Sequence, residues 1–145
     1  MTVIFFGEYF IQLDDKNRMR IPSKLRSLIG EKFYISNGTA GCLFVMDKEN
    51  FEDYAQKLAS ITSMSNLSQQ NTIRLIMSSV DEPCEDSQGR FVLPPKLRKH
   101  AGITKKMVFI GVNNRMEIWS EERYNAMMEK EASNFDEAFA SLEKI

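Results

Sequence analysis

Residues 14–30, DDKNRMRIPSKLRSLIG, and residues 86–102, DSQGRFVLPPKLRKHAG, are two versions of one segment. At an offset of 72 the pairs Asp14/Asp86, Arg18/Arg90, Pro22/Pro94, Lys24/Lys96, Leu25/Leu97, Arg26/Arg98 and Gly30/Gly102 are identical, seven of 17 positions with no gap. Composition alone would give about one, so the chain contains an internal repeat. Asn17 and Gly89 occupy equivalent sites just before the arginines, and these residue types best tolerate a positive φ, so each copy predicts a tight chain reversal there. Pro22 and Pro94 close the strand that follows, Pro95 suits the first turn of a helix, and Gly30 and Gly102 suit its end.

The likeness runs on past the glycines. Phe33-Tyr34-Ile35 and Met107-Val108-Phe109-Ile110 are β-rich runs followed by turn signals at Asn37-Gly38 and Asn113-Asn114. Leu43-Phe44-Val45-Met46 and Met116-Glu117-Ile118-Trp119 come next, each ending at a helix-capping type, Asp47 or Ser120. Each half therefore predicts strand, tight turn, strand, short helix, strand, turn, strand and longer helix. A half of this size buries little core alone, so the two copies are expected to pack as one pseudo-symmetric α+β unit.

Between and after the repeats the pattern is helical. Phe51, Tyr54, Ala55 and Leu58 follow helix spacing, as do Leu67, Ile73, Ile76 and Val80 more loosely, with the Ser/Thr/Asn-rich stretch 60–72 expected as a linker. Tyr124, Met127, Met128, Phe135, Ala138, Phe139 and Leu142 predict an amphipathic helix of roughly 20 residues, packed on its own domain or forming a subunit interface.

A chain of 145 residues with 43% hydrophobic and 27% charged residues is ordinary globular material, enough for one domain or two small ones packed together. Val3-Ile4-Phe5-Phe6 is too short for a signal peptide or a membrane span, so the expectation is a soluble cytoplasmic protein. Cys42 and Cys84 stand outside any metal-ligand spacing and are expected as reduced thiols, with no metal and no cofactor.

The net charge of −1 lacks the basic balance of a typical nucleic-acid binder, but the total hides a segregation. Residues 16–26 hold Lys16, Arg18, Arg20, Lys24 and Arg26 with no acid, and residues 87–106 hold Arg90, Lys96, Arg98, Lys99, Lys105 and Lys106 with no acid. Residues 117–145 hold eight acids against three basic residues. Strand alternation over 18–21 sends Arg18 and Arg20 to one face and Met19 and Ile21 to the other. A pseudo-twofold would bring the two basic segments onto one face suited to a polyanion. Val92 replaces the second arginine in the second copy, so the halves should not bind identically.

The repeated Asp-x-x-x-Arg with Ile/Leu-Pro-x-Lys-Leu-Arg, the opening Gly7-Glu8-Tyr9, and Gly111 to Trp119 together resemble the MraZ family. That resemblance implies a bacterial transcriptional regulator with two tandem AbrB-like (SpoVT-AbrB, swapped-hairpin) β-barrel halves and peripheral and C-terminal helices. It implies repeats at 7–54 and 79–126, a helical connection at 55–78 and a C-terminal helix at 127–145. It further implies double-stranded DNA as partner, at short promoter repeats of the division and cell-wall gene cluster including its own operon. A ring-shaped homo-oligomer associated with the nucleoid, not the membrane, is also implied. The signature falls on Asp14 to Arg18 and Asp86 to Arg90, and Asn17 stands where the family usually has glycine.

Arginine pairs bidentately with guanine, whereas lysine mainly neutralises phosphate. The expected DNA contacts are Arg18 and Arg90, then Arg20, with Lys16, Lys24, Lys96, Arg26 and Arg98 toward phosphate. Asp14, Asn17, Asp86 and Gly89 support the turns. An enzyme has little behind it: the only histidine, His100, has no nucleophile or metal partner at motif spacing, and there is no phosphate loop or nucleophile elbow. The remaining alternative is a self-assembling scaffold that binds no specific DNA.

Overall fold

The computed structural model describes residues 3–142. In chain order it runs β1 (Glu8–Gln12), β2 (Arg18–Met19), α1 (Ser23–Ile29), β3 (Phe33–Asn37), a short 3-10 turn (Thr39–Gly41), β4 (Leu43–Asp47), α2 (Lys48–Ile61) and α3 (Leu67–Ser79). It continues with β5 (Phe91–Val92), α4 (Pro95–Ala101), β6 (Lys106–Val112), β7 (Arg115–Ser120), α5 (Glu121–Ala132) and α6 (Phe135–Ala140).

The chain is α+β, with a five-stranded antiparallel sheet in the order β1-β6-β7-β4-β3 and a separate ribbon of β2 with β5. Both pairings mix the repeats. β4 and β7 meet at the middle of the sheet, with Phe44 opposite Glu117, and β3 and β6 flank them as counterparts. Beyond β6 lies β1, with Tyr9 opposite Phe109. Beyond β3 the matching position holds only a bridge between Ile35 and Asp81.

Three layers follow from which side chains each strand sends to each side. One face of the sheet joins the ribbon and the two short helices in a core that includes Met19, Leu25, Phe33, Ile35, Phe91, Leu97, Phe109 and Ile118. The other face gathers Cys42, Phe44, Met46, Val108, Trp119 and Tyr124 under Phe51 and Tyr54 of α2 and Met127 of α5. Glu117, on β7, is buried yet satisfied: Arg115 Nε donates to it at 2.9 Å and Trp119 Nε1 at 3.0 Å. The Arg115 guanidinium in turn lies 4.6 Å from the Phe44 ring centroid.

Three expectations are corrected. The stretch 60–72 is not all linker, because α3 begins at Leu67; the Asn66 side chain accepts the Gln69 N–H at 3.0 Å and caps it. The first strand of the second repeat shrinks to the Asp81 bridge, in a segment where Pro83 lacks a ladder donor. The C-terminal helix is broken at Ser133 and Asn134 into α5 and α6. Tyr124 and Met127 pack on the sheet, whereas Phe135, Phe139 and Leu142 are exposed; residues 143–145 of that expected helix lie outside the described residues.

Candidate nucleic-acid interface

Each Asp-x-x-x-Arg folds into the same closed turn. In the first copy the Asp14 Oδ1 accepts the backbone N–H of Lys16 and of Arg18, both at 2.9 Å, and Oδ2 accepts Arg18 Nε at 2.7 Å. In the second, Asp86 Oδ1 accepts the N–H of Gln88 at 2.8 Å and of Arg90 at 2.9 Å, and Oδ2 accepts Arg90 Nε at 2.8 Å. The reversal requires a left-handed residue, supplied by Asn17 (φ 59°) and Gly89 (φ 76°). One carboxylate thus closes the turn with one oxygen and orients the arginine with the other. The backbone N–H of Arg18 is the leading cause that holds the Asp14 carboxyl below the ordinary aspartate range, and that of Arg90 does so for Asp86.

Among the described residues the Nη groups of both guanidiniums make no hydrogen bond. Those are the paired donors that a guanine edge or a phosphate accepts.

The ribbon then brings the two turns together. Arg18 pairs with Val92 and Met19 with Phe91, and Leu93 N donates to Asn17 O at 2.9 Å. Met19 and Phe91 are buried, which turns Arg18 and Val92 outward on the opposite face. One further step of the same register sets Arg20 across from Arg90. Arg18, Arg20 and Arg90 line one concavity of about 380 Å³ with Ile11, Gln12, Asp14 and Met19. Asp14 and Asp86 balance Arg18 and Arg90, so among the described residues Arg20 is the one arginine of the three with no carboxylate partner.

The remaining sequence-selected residues divide in two. Lys16 in the turn, Lys24 on α1 and Lys96 on α4 are exposed, and Lys96 Nζ lies 3.3 Å from Ser78 O. Arg26 and Arg98 are engaged within the protein. Arg26 forms a two-point ion pair with Glu85 at 2.9 and 2.7 Å and also donates to Gly30 O, while Arg98 Nε donates to Leu93 O at 2.9 Å. Glu85 was not among the residues the sequence singled out, since 59 residues separate it from Arg26.

Elsewhere the chemistry is structural. His100 Nε2 lies 3.0 Å from Gly38 O, and Arg123 Nη1 donates to Gly41 O at 3.1 Å and His100 O at 3.0 Å, fastening the β3–β4 turn to α4. Burial pushes the Cys42 thiol up to about 12, while Cys84 is exposed. Among the described residues no cluster of His, Cys, Asp and Glu could hold a metal, and no helix is long and apolar enough to cross a membrane.

A repeated β-turn-β unit whose two copies meet in one two-stranded ribbon defines a tandem-repeat protein. A family profile described as "MraZ protein, putative antitoxin-like" matches residues 4–73 and 78–144. The protein named Transcriptional regulator MraZ from Lactobacillus gasseri is 39% identical over 142 residues, covering 98% of this chain and 99% of that protein. Its namesake from Finegoldia magna is 37% identical over 142 residues, with the same 98% and 99% coverage. The one from Heliobacterium modesticaldum is 37% identical over 139 residues, covering 96% of each. The chain belongs to the MraZ family.

Proposed function

We propose that this chain is a transcriptional regulator that binds double-stranded DNA sequence-specifically through the β2–β5 ribbon. The observation that carries the reading is the duplicated, Asp-locked arginine: Arg18 and Arg90 are oriented by equivalent bonds and gathered with Arg20 on one face. A two-stranded ribbon fits the major groove, where bidentate arginine reads guanine. The name Transcriptional regulator MraZ, carried by relatives that span almost the whole chain, supports the same conclusion. Lys16, Lys24 and Lys96 take the phosphate-neutralising role, and Arg26 and Arg98 act mainly by holding the ribbon's supports in place. The protein is not an enzyme in this reading.

The repeats are residues 7–54 and 79–126, joined by 55–78 and followed by 127–145. Exchange of first strands between the repeats, β1 to β6 and Asp81 to β3, supports a swapped-hairpin arrangement of the halves. The targets are short promoter repeats of the division and cell-wall gene cluster, including the protein's own operon, engaged in the cytoplasm at the nucleoid. One subunit offers a small reading surface, so adjacent DNA repeats are engaged by a homo-oligomeric ring, and avidity raises the affinity. Exposed Phe6 and Phe10 at the sheet edge and Phe135 and Phe139 on α6 supply apolar surface for that assembly.

The test is footprinting and gel shift on the DNA upstream of the gene, with sizing of the same preparation. Arg18→Ala combined with Arg90→Ala is expected to abolish the specific shift and leave the oligomer size unchanged. Wild-type affinity that does not fall between low and high salt would contradict phosphate contacts.

A further inference from the structure

An exposed valine is unremarkable by itself. Val92 is informative because of its company: it is 52% exposed, sits on the ribbon face, and is the direct cross-strand partner of Arg18. The four outward positions of the ribbon are Arg18, Val92, Arg20 and Arg90, so three corners carry guanidinium and one carries two methyl groups. Phe91 and Met19 fill the face behind it, which leaves Val92 no hydrophobic partner within the ribbon.

Resting on the DNA-binding reading above, we infer that Val92 is a specificity-determining residue that packs on the C5-methyl of a thymine next to the guanine read by Arg18. The major groove displays only one apolar group, that methyl, and an apolar side chain held at cross-strand distance from a guanine-reading arginine meets the neighbouring base step. The two halves of the operator are then unlike: the corner occupied by Arg20 favours guanine or phosphate, and the corner occupied by Val92 favours thymine.

Replacing single thymines of a selected duplex by uracil removes the methyl and leaves the pairing edge intact, so it isolates this contact. Randomised duplex is first selected with wild-type protein and with the Arg18→Ala, Arg90→Ala double variant. The expected wild-type site contains one thymine whose change to uracil weakens binding about fourfold, the effect of one buried methyl. Val92→Ala should bind the thymine and uracil duplexes equally, and Val92→Arg should shift selection at that position toward guanine. Both variants should keep the wild-type melting temperature, because the side chain is exposed. If the wild type selects a motif that the double arginine variant does not, while no thymine-to-uracil change matters or Val92→Ala still discriminates, the Val92 assignment is overturned and DNA reading by the arginines stands. A wild type that selects no motif overturns both.

Discussion

The two Asp-x-x-x-Arg turns agree to about a tenth of an ångström in the hydrogen bonds of their carboxylates, whereas the strands leading into them differ completely. Ahead of the first turn, β1 forms a five-residue ladder with β6; ahead of the second, a single bridge joins Asp81 to Ile35. Even within the turn, Asn17 stands where Gly89 stands, and Val92 where Arg20 stands. The two copies therefore tolerate change in how the turn is hung on the sheet but keep the carboxylate that aims the arginine. That is the pattern expected where the orientation of one side chain is the product and the strand is only its mount.

The most severe way to break this comparison is to remove what holds the copies side by side. Phe91→Ala empties a buried site packed edge-on against Phe33 at 5.7 Å between centroids, and should cost about 3–5 kcal/mol in chemical denaturation. Next come the arginines singly. Arg18→Ala and Arg90→Ala should each weaken binding of a selected site about 10- to 100-fold in fluorescence anisotropy while hardly moving the melting temperature. A loss confined to one of them would show that one copy alone reads bases.

Smaller effects sharpen the comparison. Gly89→Ala meets no atom closer than 4.0 Å, so its cost is the left-handed backbone alone, about 1–2 kcal/mol. Gly89→Asn, which copies the first turn, should recover most of that in the same melting series. The smallest signal is titration. Because Asp14 and Asp86 are held below the ordinary aspartate range in the folded protein, their contribution is complete above the unfolded value and fades as pH falls through the folded one. Carboxyl carbon shifts in NMR should place both midpoints below the ordinary aspartate value; Arg18→Ala keeps the backbone N–H donors, so it should reduce the depression at Asp14 without abolishing it and leave Asp86 unchanged.

What the sequence made legible was local. Asp, a left-handed residue, Arg and Pro at fixed spacing suffice to specify the turn and the facing of Arg18 and Arg20, and both copies fold as that spacing predicts. Partners far apart in the chain were not legible: nothing near Arg26 announces Glu85, and nothing near Arg123 announces Gly41. Over 60–72 the Asn and Ser residues resemble breakers, yet Asn66 is the cap that starts α3. The break at Ser133 escaped because the apolar spacing continues in register across it, although α6 packs its phenylalanines against each other and not on the sheet. Charge segregation predicts one basic face, but which arginines bond within their own turn, as Arg18 and Arg90 do, and which reach distant groups, as Arg26 does to Glu85, needed the fold.

The exchange of strands between repeats also sets a timetable for synthesis. Tyr9 cannot take its place in the sheet until Phe109 exists, and Met19 cannot close the ribbon until Phe91 does. At about 5–20 residues per second, β1 leaves the ribosome and waits roughly 5–20 s for its partner strand. Through that interval Phe6 and Phe10 border an unpaired edge, the condition under which nascent chains pair with each other. The strand made first is thus kept waiting for one made nearly last, so the sheet closes only late in synthesis.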